Sequence, residues 1–180
     1  MKKVIAIIAL AVTGFAAKAQ VASTATQTVN LNLSNAIELT FTGSTTATGA
    51  AVNLAFNTVN DYANGVASAA QELKVRSNKK FDVTVKTNAT SFSYTGSTTP
   101  APVMPVSGVL ALKVSANGTG GTIAGTFAGY TSLSGTAANL ISNGLNGGNQ
   151  TFSVMYNATP GFTYPAGTYT VDVVYTATQQ

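Results

Sequence analysis

The sequence contains no cysteine, no histidine and no tryptophan, and only 8% of its residues are charged. Each absence excludes something. Without cysteine there is no disulfide, no thiolate nucleophile and no thiolate metal site. Without histidine the commonest general base near neutral pH and the commonest transition-metal ligand are missing. The carboxylates are five in number, Glu38, Asp61, Glu72, Asp82 and Asp172; spacing along the chain does not exclude a glycoside-hydrolysing pair among them, but none is suggested. No Asp-rich loop offers the six to eight oxygens that calcium takes, so Asn60-Asp61 reads as turn chemistry. Neither a cofactor nor a catalytic centre is expected, and the chain reads as a non-enzyme.

Long apolar runs are missing too. The longest begins at Val4 and ends at Val12, well short of the roughly 20 residues a membrane helix needs. It follows Lys2-Lys3 and precedes the small-x-small stretch Ala17-Lys18-Ala19, the pattern of a secretory signal peptide over residues 1–19. Cleavage there places Gln20 at the mature N-terminus of one domain, residues 20–180. No cysteine follows the site, so a lipoprotein anchor is excluded, and no later stretch reads as a transmembrane segment. Three of the nine basic residues, Lys2, Lys3 and Lys18, belong to the signal, which leaves six against five acids. The basic pI is then largely a property of the signal, and a nucleic-acid partner is not expected. These features predict an exported protein, periplasmic or extracellular at the cell surface.

What the chain does have is period-two alternation. In Glu72 to Lys86 the apolar residues Leu73 and Val75, then Phe81, Val83 and Val85, alternate with polar ones on both sides of Ser77-Asn78-Lys79-Lys80. The pattern predicts a β-hairpin. Charge favours the register that sets Arg76 opposite Asp82 and Glu72 opposite Lys86, since the competing register would oppose Arg76 to Lys80. Further alternating or apolar stretches predict strands at 29–33, 37–42, 52–56, 91–95, 109–114, 122–127, 150–156 and 168–178, with a short helical turn over 66–70. Within 128–148, a Gly/Ser/Asn-rich stretch, Leu133, Leu140, Ile141 and Leu145 are expected to tuck against the core. About nine to ten short strands separated by turn residues argue for an all-β fold: a single antiparallel β-sandwich of Ig-like, Greek-key or jelly-roll type.

Two kinds of surface residue are candidates for ligand contact. Tyr62, Tyr130 and Tyr164 lie in predicted loops, where a phenol ring can stack on a sugar. Lys79 and Lys80 stand at the predicted hairpin tip, where they can meet an anionic glycan or simply keep the tip soluble. Asn-x-Thr triplets such as those at Asn88, Asn117 and Asn157 match the N-glycosylation pattern but are expected by chance in a chain so rich in Asn and Thr.

Two blocks resemble a known family. Leu73-Lys74-Val75-Arg76-Ser77-Asn78 with Phe81-Asp82-Val83-Thr84-Val85 is similar to the first conserved block of WxL-type surface domains, and Pro165-Ala166-Gly167-Thr168-Tyr169-Thr170-Val171-Asp172-Val173-Val174-Tyr175 to their C-terminal block. Phe81-Asp82-Val83 stands where that family has Trp-x-Leu. A related set of small exported proteins of Gram-negative bacteria shares the layout, and some of them carry a peptidoglycan-binding label. The resemblance implies an exported β-sandwich at the cell envelope. The expected role is structural or adhesive, with itself or other envelope proteins as partner. The alternative is a glycan-binding module for peptidoglycan or another envelope polysaccharide.

An uncharged, proline-free run at the mature N-terminus, Gln20 to Leu33, ends in the alternation Val29-Leu31-Leu33. Such a strand pairs with an open sheet edge, its own or a neighbour's.

Overall fold

The structure is a computed structural model and describes residues 23–44 and 47–180. The expected signal peptide, residues 1–19, lies outside these residues. The chain divides into two units, residues 1–33 and residues 34–180.

The second unit is mostly β, with antiparallel sheets and very little helix. In chain order it contains β1 (Ile37–Phe41), α1 (Val59–Asn64), β2 (Val66–Ala67), β3 (Gln71–Ser77), β4 (Phe81–Thr87), β5 (Ser93–Thr95), β6 (Leu110–Asn117), β7 (Thr122–Ile123), β8 (Thr131–Ser132), β9 (Ala138–Gly144), β10 (Gly147–Ala158), β11 (Thr168–Thr170) and β12 (Val173–Gln179). One main sheet has the order β1-β3-β10-β6-β8, with β2 also on β10; the other has the order β12-β4-β9-β7; β5 and β11 form a separate pair. Inward residues of both main sheets make one core, including Leu73, Val75, Phe81, Val83, Leu112, Leu140, Ile141, Phe152 and Val154. Burying a side chain of this size contributes about 1.5–3 kcal/mol. The arrangement is consistent with a β-sandwich.

The predicted hairpin is corrected. Both of its arms are strands, but they belong to different sheets: β3 pairs with β1 and β10, and β4 pairs with β12 and β9. The chain crosses from one sheet to the other at Ser77–Lys80. Alternation requires only that Leu73, Val75, Phe81, Val83 and Val85 reach a core. A crossing lets the two arms bury these residues against each other's sheets, and all five are at most 1% exposed. The crossing is tied down locally. The Ser77 hydroxyl donates to the Lys79 carbonyl at 2.7 Å, and Asn78 donates to the Ser34 carbonyl at 2.7 Å while accepting from the Ala36 amide at 3.0 Å.

The predicted charge pairs fall with the hairpin. Arg76 lies 3.6 Å from Glu38 across the β1–β3 ladder, not opposite Asp82. Glu72 stands opposite Ser153, and Lys86 opposite Val174. Asp82 instead accepts from the Asn143 amide at 2.8 Å, where Asn143 takes a left-handed conformation (φ 57°) and β9 slips in register against β4. Beside this irregularity Gly144 lies flat on the Phe81 ring: a Cβ there would meet ring carbons at 2.6 Å.

Other strand boundaries move for identifiable reasons. The helical element precedes its expected place: α1 covers Val59–Asn64, where Thr58 and Asp61 form a capping box, and Val66–Ala67 is a strand on β10. The stretch 128–148 supplies β8 and β9; Leu133, Leu140 and Ile141 are buried as expected, whereas Leu145 is 45% exposed. The single expected C-terminal strand is split. Asn88 and Asp172 clasp each other through Asn88 Nδ2 to Asp172 Oδ2 (2.8 Å) and Asp172 N to Asn88 Oδ1 (3.1 Å). The clasp separates β11, which pairs with β5, from β12, which pairs with β4.

Two expected strands are not strands in the structure. Residues 52–56 are extended and set Leu54 and Phe56 partly against the core, yet residues 49–56 make no backbone hydrogen bond among the described residues. Residues 24–33 make none either, and Val29, Leu31 and Leu33 are 74%, 80% and 88% exposed.

Candidate functional site

Four of the five acids are held by specific side-chain contacts. Asp61 accepts from the Asn57 and Thr58 amides at 2.9 and 2.7 Å. These bonds, from Thr58 first and then Asn57, hold its carboxyl below the usual range. This is a helix cap and explains the Asn60-Asp61 signal without calcium. Asp82 and Asp172 hold loops, and Glu38 faces Arg76. Among the described residues no group of three or more acids gathers as a metal site. Two of the named Asn-x-Thr asparagines are also structural: Asn88 clasps Asp172, and Asn117 Oδ1 accepts from Thr119 N and Thr119 Oγ1 at 3.1 and 2.6 Å.

The candidate contact residues separate into three places. Tyr62 and Tyr164 come together in one aromatic cluster. Tyr62, on α1, stacks on Phe162 with ring centroids 5.6 Å apart at 24°, and Phe56 lies 5.4 Å from Tyr62. Tyr164 meets Tyr169 at 6.4 Å, and Tyr169 meets Tyr94 across the β5–β11 pair at 5.0 Å. No ring contact joins the two groups among the described residues. Desolvation first, then Tyr94, Tyr164 and Tyr62, push the Tyr169 phenol above its ordinary value. Loop geometry fixes part of the cluster: Tyr94 Oη donates to the Ala166 carbonyl at 3.1 Å and Tyr169 Oη to the Pro165 carbonyl at 2.9 Å. Phe162 is 66% exposed, so the cluster offers an open ring face beside the half-buried Tyr62 and Tyr164.

Tyr130 stands apart. It is 40% exposed and carries the Lys113 ammonium 4.7 Å above its ring, a cation–π contact that occupies one of its two faces. Lys79 and Lys80 are exposed on the crossing between β3 and β4. Because Phe81 pairs with Gln179 and Thr87 with Val173, the lysines and the β11–β12 junction lie at opposite ends of the β4–β12 ladder. Near the lysines a shallow open groove of about 580 Å³ runs between Glu38, Arg76, Asn78 and the Asn146–Gly148 backbone. Sequence reasoning missed Phe56, Tyr94, Phe162 and Tyr169 as members of the cluster. The spacing of Phe162 and Tyr164 in one loop was the available signal; Tyr94 and Tyr169 join through a ladder between distant segments.

A second feature is a seam where the two main sheets meet along β1 and β12. Tyr175 anchors it. Its hydroxyl hydrogen-bonds the Tyr156 hydroxyl of the other sheet at 2.7 Å, and its ring lies 6.1 Å from Phe41 and 6.5 Å from Phe152. Burial pushes both phenols up, that of Tyr175 strongly. Gln179 Nε2 donates to the Ala36 carbonyl at 2.8 Å and to Ser77 Oγ at 3.0 Å. No backbone ladder joins β1 to β12 among the described residues. No helix among the described residues is long and apolar enough to cross a membrane, which leaves strands out of account.

No family model matches the chain, and no curated protein matches it.

Proposed function

We propose that this chain is a non-enzymatic structural or adhesive β-sandwich protein of the cell envelope, exported by its N-terminal signal and assembling with copies of itself. The observation that carries the reading is the unpaired alternating run Val29-Leu31-Leu33, whose apolar side chains are at least 74% exposed. Three large aliphatic side chains on one side of an extended segment are costly to leave in water, about 1.5–3 kcal/mol each, and the same backbone has unused donors and acceptors. A second copy satisfies both. The Ig-like, Greek-key or jelly-roll sandwich and the relation to WxL-like surface domains belong to this same proposal; two sheets sharing one core support the first, and the second rests on the quoted sequence blocks alone. Size-exclusion chromatography and electron microscopy test it. Concentration-dependent oligomers or filaments are expected, and a monomer at every concentration overturns assembly.

The aromatic cluster favours a second reading, a module that binds peptidoglycan or another envelope glycan. Phe162, Tyr62 and Tyr164 supply stacking faces and hydroxyls of the kind sugars use. Pull-down on insoluble peptidoglycan separates the readings: retention lost in Phe162→Ala and Tyr62→Ala supports the glycan reading, and passage of the wild-type protein through unretained removes it for that polymer.

A further inference from the structure

We propose that residues Val29–Leu33 of one copy add as a strand to the free edge of β12 in a second copy, extending the β12-β4-β9-β7 sheet from molecule to molecule. The inference rests on the self-assembly reading and names the surface that receives the arm.

The choice of β12 follows from comparing the four outer strands of the two main sheets. Edge strands are commonly protected by shortness, charge, proline or bulges. β7 and β8 have two residues each. β1 has five and carries Glu38, paired with Arg76. β12 has seven residues, Val-Val-Tyr-Thr-Ala-Thr-Gln, with no charge and no proline, and it runs against β4 for seven consecutive pairs without a register shift. It is the one long, unbulged, uncharged edge of the four.

Its free hydrogen-bonding groups can be assigned. The Gln180 amide donates to the Lys80 carbonyl, and the Asn88 amide to the Asp172 carbonyl. Antiparallel pairs alternate, so the even-numbered residues of β12 bond to β4, and Val173, Tyr175, Ala177 and Gln179 turn their backbone N–H and C=O groups to the open side. No backbone hydrogen bond among the described residues uses those groups. The same four residues turn their side chains inward but are only half-buried, unlike Phe81, Val83 and Val85 on the neighbouring strand. The edge therefore keeps its backbone groups open, and although Phe41 of β1 covers the Tyr175 ring across the seam, Val173 and Ala177 remain incompletely covered.

The arm has the matching properties. Five extended residues span about 17 Å, within the length of β12. Side chains in line across a ladder share a face, so Val29, Leu31 and Leu33 would cover the Val173-Tyr175-Ala177 side while Asn30 and Asn32 face solvent with Val174, Thr176 and Thr178. The occupant is a second copy because folding back requires a reversal in a place that is already held. Asn78 bonds the Ser34 carbonyl and the Ala36 amide, and Gln179 bonds the Ala36 carbonyl. The residues leading out of the arm are thus fixed beside the end of their own β12.

The absence of native cysteine gives a clean test. In the full chain, Asn32→Cys with Thr176→Cys places both thiols on the outer face of the proposed ladder, whereas Asn32→Cys with Thr40→Cys probes β1. Under mild oxidation the first pair is expected to give a ladder of covalent multimers on a non-reducing gel, and the second is expected to give no such ladder. Leu31→Lys with Leu33→Lys should abolish multimers in chromatography while leaving the melting temperature of the compact unit unchanged. Multimers formed by the Asn32→Cys/Thr40→Cys chain but not by the Asn32→Cys/Thr176→Cys chain overturn the inference, as does a disulfide closed within one monomer; both leave the question of assembly to its own test. Wild-type multimers that persist in Leu31→Lys/Leu33→Lys also overturn it and preserve assembly by another surface. A wild-type protein that is monomeric throughout removes both.

Discussion

Val29 to Leu33 and Glu72 to Arg76 are five-residue runs of one pattern, with apolar side chains separated by polar ones, and they have opposite fates. Leu73 and Val75 have no exposed surface, while Leu31 and Leu33 are 80% and 88% exposed. Both runs favour extended backbone. What differs is the number of neighbours. β3 lies between β1 and β10, so its backbone is bonded on both sides and its apolar face lies against the opposite sheet. Among the described residues the arm has no backbone hydrogen bond on either side, and its apolar side chains are exposed. Alternation specifies a strand's shape and its two faces, and pairing is a separate event that depends on what lies beside it.

The contrast between the two runs should show most strongly on the buried side. Leu73→Ala is expected to destabilise by about 2–5 kcal/mol, whereas Leu31→Ala should stay within about 0.5 kcal/mol in the isolated monomer. Urea unfolding of both variants checks it. Similar midpoints would mean that the arm is part of the folded core in solution.

Gly144→Ala probes whether the buried strands accept added volume. The new methyl group meets the Phe81 ring, and overpacking of this kind costs about 1–3 kcal/mol. Thermal unfolding should show a clear fall, restored in part by Phe81→Leu in the same chain. A fall that Phe81→Leu leaves untouched would place the cost elsewhere.

At the seam the test is alkaline pH. Tyr156 and Tyr175 both titrate above the ordinary phenol value because burial disfavours the phenolate. The neutral form is the one the fold prefers. Their contribution is complete below the unfolded-state pKa of about 10 and is lost as pH rises beyond it, where only the unfolded chain ionises freely. Stability followed from pH 8 upward should therefore fall steeply above about 10, and the double variant Tyr156→Phe/Tyr175→Phe should flatten the fall. A wild-type curve that is already flat contradicts the burial of this pair.

The smallest effect belongs to the exposed ion pair. A double-mutant cycle on Glu38 and Arg76 is expected to give about 0.2–1 kcal/mol of coupling, diminishing with added salt. A cycle on Arg76 and Asp82 should give none. Coupling in the second cycle instead of the first would restore the hairpin register that the fold replaces.

The class of this protein follows from local pattern alone. Its alternating runs are extended, its inward residues from Leu73 to Val85 are core, and its composition provides neither histidine nor cysteine for chemistry. Those properties are legible because side-chain period and residue type need no distant partner to be read. Which strands meet is a matter of long-range packing. The crossing at Ser77–Lys80, the transfer of Arg76 from Asp82 to Glu38, and the division of the C-terminal block at Asp172 all depend on residues far away in the chain. The aromatic cluster was half legible, since Tyr62 and Tyr164 stand out as loop tyrosines, but Tyr94 and Tyr169 join it through a ladder between segments more than seventy residues apart. Either a hairpin or a sheet-to-sheet crossing satisfies the same alternation, and the choice between them is made by the packing of the whole core.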